Sequence, residues 1–399
     1  MLSSSCQSQP SSHPAPVDNT PIDPAEIARL KRRLAAAQEE VKELSGTKLK
    51  KPPTPVTVGR GIRRLVSLYD SVDDIIQAAD QQKDSNNDDD EAEEDDALVD
   101  KAAEGKREIE SKLTAFTILI RNFPLVKEAI EDPNVDFDVF VTSLQIGANN
   151  ARSDDVRRIK EAVAFWLNKE YGKEDDFEML DPKERTGRGL HNYVTGRLLC
   201  PVDYDWDVPE IYTDIIEGTI DISEDYFLRC FYPNGNGDPS HYERGFLKSG
   251  LLVNVYKDIF TSPSSCDASL SASAPSEDVQ NDSDGPAPPK RPKLTEHQAR
   301  KKATKSCVAT ILGMEGRVTP RSIAYAAVLL AFNLTNAVQW VEIYNDFNFR
   351  ALYNLIVDFF EVPGGKEAER RVARLLEWWN RSFLIASGLL PIPANPETS

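Results

Sequence analysis

The segment PRSIAYAAVLLAFNL, Pro320–Leu334, decides the fold of this chain. From Ile323 onward nearly every side chain is apolar, and a helix that is apolar on all sides must be buried within a larger packing. Thr319 and Pro320 predict its start, because threonine is a good N-cap and proline suits the first helical position. The apolar run is shorter than the roughly 20 residues of a membrane span, so the sequence predicts a buried core helix.

Two amphipathic helices are predicted after this segment. Residues 349–360 place their apolar side chains on one helical stripe, and Pro363-Gly364-Gly365 then breaks the pattern. Residues 366–383 carry a further stripe that includes Trp379. Because two amphipathic helices cannot cover one that is apolar on all sides, we expect the remaining cover to come from upstream.

The upstream half of the chain is strongly periodic at first and then irregular. Apolar periodicity predicts helices over residues 97–122, 136–147, 151–171 and 250–260. Between residues 173 and 250 the periodicity weakens and Gly, Pro and Asn become frequent. That composition predicts loops and short helices.

A Gly-x-Gly pair precedes another helical stripe near the start of the core. Gly59 and Gly61 follow a short apolar run, as the glycines of a dinucleotide-binding loop do. Arg64 occupies the position of the third glycine, so the motif fails. We interpret the pair as turn glycines and predict no cofactor.

These patterns predict a mainly α fold, a composite helical domain with an irregular middle region. A coiled-coil-like helix precedes the domain, and disordered acidic and Ser/Pro-rich segments interrupt it. The predicted boundaries are a disordered segment 1–22, a coiled-coil-like helix 23–45, a linker 46–58, the N-terminal part of the core 59–260 with an acidic disordered insertion 84–97, a disordered linker 261–305, the C-terminal part of the same core 306–385, and a tail 386–399.

Acidic side chains are in excess, with 65 Asp and Glu against 47 Lys and Arg, and the formal net charge is −18. This charge disfavours direct binding to nucleic acid and to anionic membranes, because both require clustered cations. The 5 cysteines include no CxxC pair and indicate reduced thiols in an intracellular protein. The first residues lack the basic and apolar regions of a signal peptide.

A heptad pattern lies before the core. Asp23 and Pro24 predict a helix start, and apolar residues then follow with the three-and-four spacing of a coiled-coil seam. The predicted seam is Ile27, Leu30, Leu34, Ala37, Val41 and Leu44. Pairing along it would make the chain a homo-oligomer through residues 23–45, and a lone amphipathic helix is the alternative.

Two charged runs lie in segments predicted to be disordered. The basic run comprises Lys290, Arg291, Lys293, Arg300, Lys301 and Lys302. Clustered cations in exposed chain suit an acidic groove of a nuclear import receptor, so we predict a nuclear protein, with the cytoplasm as the alternative. A phosphate-binding patch is a competing interpretation of the same run. The acidic run Asp88–Asp96 is either a tail for basic partners or a solvated spacer.

One group of residues is a candidate for catalysis. It comprises His191, Asp203, Asp205, Asp207 and Glu210. Alternating carboxylates would share one face of an extended strand. The spacing also opens a calcium loop, but Val208 and Asp214 stand where that loop requires Gly and Glu. A solvated acidic face is the simpler interpretation, and we predict no metal site.

Several motifs together resemble a known family. They are ERTG at 184–187, LLCP at 198–201, FLKSGLL at 246–252, IFTSPSS at 259–265, VTPRSIAYAA at 318–327 and EWWNR at 377–381. The set resembles a large uncharacterised family expanded in mushroom-forming fungi and defined as a domain of unknown function. The resemblance spans roughly residues 60–383 and implies no activity or cofactor.

Taken together, the residues favour a non-enzymatic protein. We expect an intracellular, nuclear chain that acts in protein interaction or as a scaffold, with protein partners. One alternative is a metal-dependent or acid–base hydrolase that uses the carboxylates of residues 203–210. Another is a protein associated with chromatin or mobile elements, which the basic run and the expansion of the family suggest.

Overall fold

The computed structural model of this chain describes residues 53–85, 96–173, 177–223, 226–261 and 307–386. Side chains at 83–85, 96–104 and 384–386 are not described. Two units divide the chain, Met1–Pro53 and Thr54–Ser399, and every helix and strand below belongs to the second. Within the described ranges, no helix combines the length and the apolar character that a bilayer crossing needs.

Helices dominate the described residues, which confirms the predicted mainly α fold. The helices are α1 (Pro55–Leu65), α2 (Val72–Ser85), α3 (Asp96–Asn122), α4 (Pro124–Glu131), α5 (Phe137–Tyr171), α6 (Tyr193–Leu199), α7 (Pro209–Ile216), α8 (Gly250–Phe260), α9 (Val308–Ile311), α10 (Pro320–Leu334), α11 (Phe349–Glu361) and α12 (Lys366–Ala386). Strands β1 (Ile343–Tyr344) and β2 (Phe347–Asn348) form one antiparallel hairpin.

Helix α10 lies at the centre of the fold. Thr319 and Ser322 form a capping box at its start, each side-chain oxygen accepting from the other residue's backbone N–H. Every residue from Arg321 to Leu334 is buried. Helices α1, α5, α6, α8 and α11 pack around it. The predicted enclosure of this helix by segments from both halves of the chain is therefore confirmed.

Two glycines allow α1 and α5 to cross at very short distance. A Cβ atom on Gly59 would lie 1.9 Å from the carbonyl oxygen of Leu144, and one on Gly147 would lie 2.1 Å from the carbonyl oxygen of Val56. Only glycine leaves room for backbone at these distances. The contact is reciprocal, since each helix presents its glycine to the backbone of the other.

This crossing corrects three local predictions. Gly59 and Gly61, which we interpreted as turn glycines, lie inside α1. Gly147, which we predicted to end a helix, lies inside α5, and that helix continues unbroken past it. Helix α1 begins at Pro55, within the segment 46–58 that we assigned to a linker. Glycine disfavours helix on its own, and here the contact between helices outweighs that preference.

Buried arginines connect α10 to its neighbours. Arg64 donates to Asp155 through Nε at 2.7 Å and Nη2 at 3.0 Å, and the Tyr325 hydroxyl donates to the same carboxylate at 2.9 Å. Arg321 donates to Glu361 through Nε and Nη2, both at 2.9 Å. In these two pairs each buried guanidinium lies opposite a carboxylate, which offsets the cost of burying its charge.

Short helices and turns make up residues 177–223 and 226–249, as predicted, and arginines attach this region to the end of α10. Arg185 donates to the carbonyl of Ala337 at 2.7 Å, and Arg188 donates to the carbonyl of Asn333 at 2.7 Å. The region also holds a small apolar cluster beside the main core, formed by Cys200, Trp206 and Ile215. The main core itself contains residues from both sides of 262–306.

Several predicted features lie outside the described residues. They are the segment 1–22, the coiled-coil seam in 23–45, the linker from 262 with its basic run, and the tail from 387. Most of the acidic run also lies outside, between Ser85 at the end of α2 and Asp96 at the start of α3. Helix occupies residues 84–85 and 96–97, at the two ends of the predicted insertion 84–97.

Candidate functional site

The carboxylates that we considered for catalysis lie in a turn-rich segment and not on an extended strand. Residues 202–207 form turns and bends that lead into α7, whose first residues include Glu210. Asp203, Asp205, Asp207 and Glu210 are all exposed. The face that alternation on a strand would create is therefore not formed.

Hydrogen bonds give these carboxylates local partners. The Tyr242 hydroxyl donates to Asp203, which raises the pKa of Tyr242, and the Tyr193 hydroxyl donates to Asp207. Asp205 accepts from the backbone N–H of Asp207 at 3.2 Å, a contact typical of an Asx turn. Asp203 and Asp207 thus connect the turns to neighbouring tyrosines.

His191 is exposed and lines a cavity. The walls of that cavity include none of these four carboxylates. Across the residues that the structure describes, no group of three or more His, Cys, Asp or Glu side chains could hold a metal ion. The structure therefore does not assemble the catalytic candidates into one site.

A groove of about 740 Å³ lies between the loop 240–248 and the paired helices α11 and α12. We call it the cationic groove. Its walls include four cationic side chains and one carboxylate: Arg244, Lys248, Arg371, Arg374 and Glu243. This balance is opposite in sign to the net charge of the chain, which is −18.

Aromatic rings line the base of the cationic groove. Phe227 stacks on Tyr242 with ring centroids 5.0 Å apart. Phe246 meets Phe227 edge-on at 4.9 Å and Phe359 edge-on at 5.3 Å. These contacts join the loop to α11 through packed rings, so the base is a preformed apolar surface.

The backbone of the loop is held in an unusual conformation. Gly245 has a φ of 87° and Leu247 a φ of 58°, both in the left-handed region. A leucine stays there only when its surroundings enforce it. Leu247 is fully buried, and the next residue, Lys248, donates its backbone N–H to the carbonyl of Phe231 at 3.1 Å. The loop is therefore rigid, and it presents Arg244 and Lys248 in defined positions.

The cations of the groove differ in their pairing. Arg371 forms a bidentate ion pair with Glu243, at 2.5 Å from Nε and 2.7 Å from Nη2. The ammonium of Lys248 lies 5.7 Å from the centre of the Trp378 ring. Arg244 and Arg374 are exposed. Within the described part of the chain, neither of them nor Lys248 belongs to a salt bridge, so their charge is available to a ligand.

No motif in the sequence predicts this groove. Its two walls are far apart in the chain, since Arg371 and Glu243 are 128 positions apart. The one local signal is the row of arginines that lies off the apolar stripe of α12 beside Trp378. On its own that row is typical of any solvated helix face.

A model of a family of unknown function (DUF6698) matches residues 146–383. The match covers more than half of the 399 residues and includes every residue that lines the cationic groove. It excludes α1, although α1 crosses α5 within the core. No curated protein and no solved structure matches the chain.

Proposed function

This chain belongs to DUF6698, a family of unknown function, and from the cationic groove we propose that it is a non-enzymatic protein-interaction module. The groove would bind an acidic segment of a protein partner. The observation that carries the proposal is the placement of Arg244, Lys248 and Arg374 around an aromatic base, without carboxylate partners among the described residues. Arginine clusters are a recurrent means of binding acidic motifs.

Charge complementarity favours an acidic ligand over a basic or neutral one. Guanidinium groups bind carboxylates with paired hydrogen bonds, and Arg371 already shows this geometry with Glu243. The rings of Phe227, Phe246 and Phe359 would receive an apolar side chain of the same segment. The segment that fits best therefore combines several Asp or Glu residues with an aromatic or aliphatic residue.

The chain as a whole is negative, with a net charge of −18, and the cations of the groove create a positive potential only near themselves. An acidic partner is repelled by the chain as a whole and attracted only near these cations. At physiological ionic strength charges are screened beyond about 8 Å, so the local attraction dominates once the partner reaches the surface. Binding is expected to be strongest at moderate salt and to weaken as salt rises further.

A peptide-binding experiment tests the proposal. The probe is a short fluorescent peptide of Asp and Glu residues with two phenylalanines, titrated with the full chain and followed by fluorescence anisotropy. We expect Arg244→Glu together with Arg374→Glu to weaken binding by about tenfold or more. The matched control is Lys106→Glu, an exposed cation on α3 outside the groove, which should leave the affinity unchanged. Equal affinity of all three proteins, or no binding by any, would contradict the proposal.

We further propose that the protein acts in the nucleus. The support is the basic run from Lys290 to Lys302, which precedes the C-terminal helices in the sequence and resembles a nuclear import signal. Imaging of a tagged protein with Lys290→Ala, Arg291→Ala and Lys293→Ala tests this. We expect loss of nuclear accumulation, and unchanged localisation would contradict the import role.

Self-association through residues 23–45 is a separate proposal, supported by the heptad spacing of the predicted seam. Sedimentation of the full chain and of a chain without residues 1–50 tests it. We expect the full chain to form assemblies with more subunits than the shortened chain. Equal subunit numbers would contradict pairing. We also propose that this family is the one expanded in mushroom-forming fungi, which the motifs quoted above support.

A further inference from the structure

A second cavity of about 550 Å³ lies beside the C-terminal end of α10. We call it the seam cavity, because residues from the main core and from the small apolar cluster both line it. Leu190 and Ile222 pack against both of these clusters and also line the cavity. Its volume is within the range of cavities that bind small organic ligands, roughly 300–1,000 Å³.

Apolar side chains form part of the walls of the seam cavity. They include Leu190, Leu199, Ile215, Ile216, Leu228 and Phe349. Leu228 and Phe349 are almost fully buried from solvent, at 0% and 1% exposure. Aliphatic and aromatic walls of this kind stabilise a ligand by removing its apolar surface from water, at roughly 25 cal/mol per Å².

Hydrogen bonds hold the walls in place around the end of α10. The N–H of Gly189, which has a φ of 85°, donates to the carbonyl of Leu334 at 2.9 Å. The Tyr344 hydroxyl donates to Asn336 Oδ1 at 2.9 Å and attaches the β-hairpin. Asn345 and Asp346, in the turn of that hairpin, have φ values of 46° and 64°. The cavity is therefore preformed by a rigid frame.

The ionisable side chains of the seam cavity are at its rim. His191, Asp221 and Asp346 line it and are exposed. The cavity walls include no lysine and no arginine among the described residues. An anionic ligand would be repelled by the two carboxylates, whereas a cationic head group would be attracted by both.

We propose that the seam cavity binds a small organic cation with an apolar body, such as an aryl-alkyl amine. The body lies against the aliphatic and aromatic walls, and the ammonium group lies at the rim beside Asp221 and Asp346. This site shares no lining residue with the cationic groove, and it prefers ligands of the opposite charge. It is therefore independent of the function proposed above.

A matched pair of probes tests the assignment. They are 4-phenylbutylamine and 4-phenylbutyrate, which share one apolar body and differ in the charge of the head group. Each is titrated into the full chain and followed by isothermal calorimetry. We expect the affinity for the amine to exceed that for the carboxylate by about tenfold or more.

Variants separate the roles of charge and shape. Asp221→Asn with Asp346→Asn should abolish the preference for the amine and leave weak binding of both probes. Ile220→Trp replaces an aliphatic side chain of the cavity wall with a larger aromatic one, and it should reduce binding of both probes. Asp138→Asn is the control, because Asp138 is exposed on α5 and does not line the cavity. Urea unfolding of each variant confirms that the fold is intact.

Three results would overturn the assignment. One is the absence of binding by both probes, and another is equal affinity for amine and carboxylate in the unaltered chain. The last is a preference for the amine that persists in the doubly substituted, folded variant. Each of these outcomes leaves the cationic groove and its acidic-peptide test unaffected.

Discussion

Tyr325 on the central helix donates its hydroxyl hydrogen to Asp155 on α5 at 2.9 Å, across 170 positions of the chain. Asp155 also accepts both hydrogen bonds from Arg64 of α1. Asp155 is 1% exposed, and Tyr325 is completely buried. One carboxylate thus joins three helices, two before the segment 262–306 and one after it.

Removing this carboxylate should be far more costly than removing the hydroxyl. Asp155→Ala leaves the Arg64 guanidinium buried without its counter-charge, which we expect to lower the free energy of unfolding by about 3–5 kcal/mol. Tyr325→Phe removes one hydrogen bond and keeps the ion pair, so the loss should be about 1–2 kcal/mol. Urea unfolding measures both, with the exposed Asp138→Ala as a control expected below about 1 kcal/mol. Equal losses for Asp155→Ala and Asp138→Ala would contradict the buried pairing.

The glycine crossing predicts that alanine substitutions at different helical glycines change the stability of the protein in opposite directions. Gly59→Ala and Gly147→Ala force a methyl group against backbone atoms at 1.9 and 2.1 Å, and we expect each to destabilise the protein by about 2 kcal/mol or more. Gly105→Ala in α3 meets no atom within 4 Å and should stabilise by up to about 1 kcal/mol through helix propensity. Thermal unfolding compares the three, and stabilisation by Gly59→Ala would show that the helices do not cross there.

The buried cysteines should resist alkylation in the native protein. Cys200 and Cys230 are completely buried, and burial raises the pKa of the Cys200 thiol to about 11. Since the thiolate is the nucleophile, only about one-thousandth of Cys200 is reactive at pH 8. With iodoacetamide and mass spectrometry, we expect the half-buried Cys307 to react before Cys200 and Cys230, the other two cysteines that the structure describes. Rapid native labelling of Cys230 would be inconsistent with its place in the core.

Stability should fall at alkaline pH. Burial raises the pKa of Tyr256 and of Tyr353 above the usual value near 10. Between the unfolded and folded pKa values, the unfolded chain therefore binds fewer protons than the native chain, and the free energy of unfolding decreases as pH rises. Thermal unfolding between pH 8 and pH 11 measures this slope. Tyr256→Phe should reduce it, and a pH-independent midpoint would argue against burial of these phenols.

Local signals in the sequence were sufficient for the central helix. The apolar run after Thr319 could only be stable if buried, and the N-cap threonine and the following proline marked its start, where the structure has the capping box. The two later helices also follow from their stripes. These features depend on residues close together in the chain, which is why their positions could be predicted.

The errors concern residues whose role depends on distant contacts. Gly147 has the composition of a helix end, but its neighbour in space is the Val56 carbonyl of another helix. Arg64 and Arg321 are indistinguishable in sequence from surface arginines, yet both are almost fully buried. The cationic groove likewise exists only because α12 packs beside the loop that carries Arg244. Sequence periodicity does not report on such pairs.

Helices from both sides of residues 262–306 form one core around α10. A protease site inserted at Gly285, followed by cleavage of the folded chain and gel filtration, tests it most directly. We predict that the two fragments elute together in native buffer, unfold in one transition and separate only in denaturant. Separation of the cleaved fragments in native buffer, each with its own helical signal, would contradict the claim.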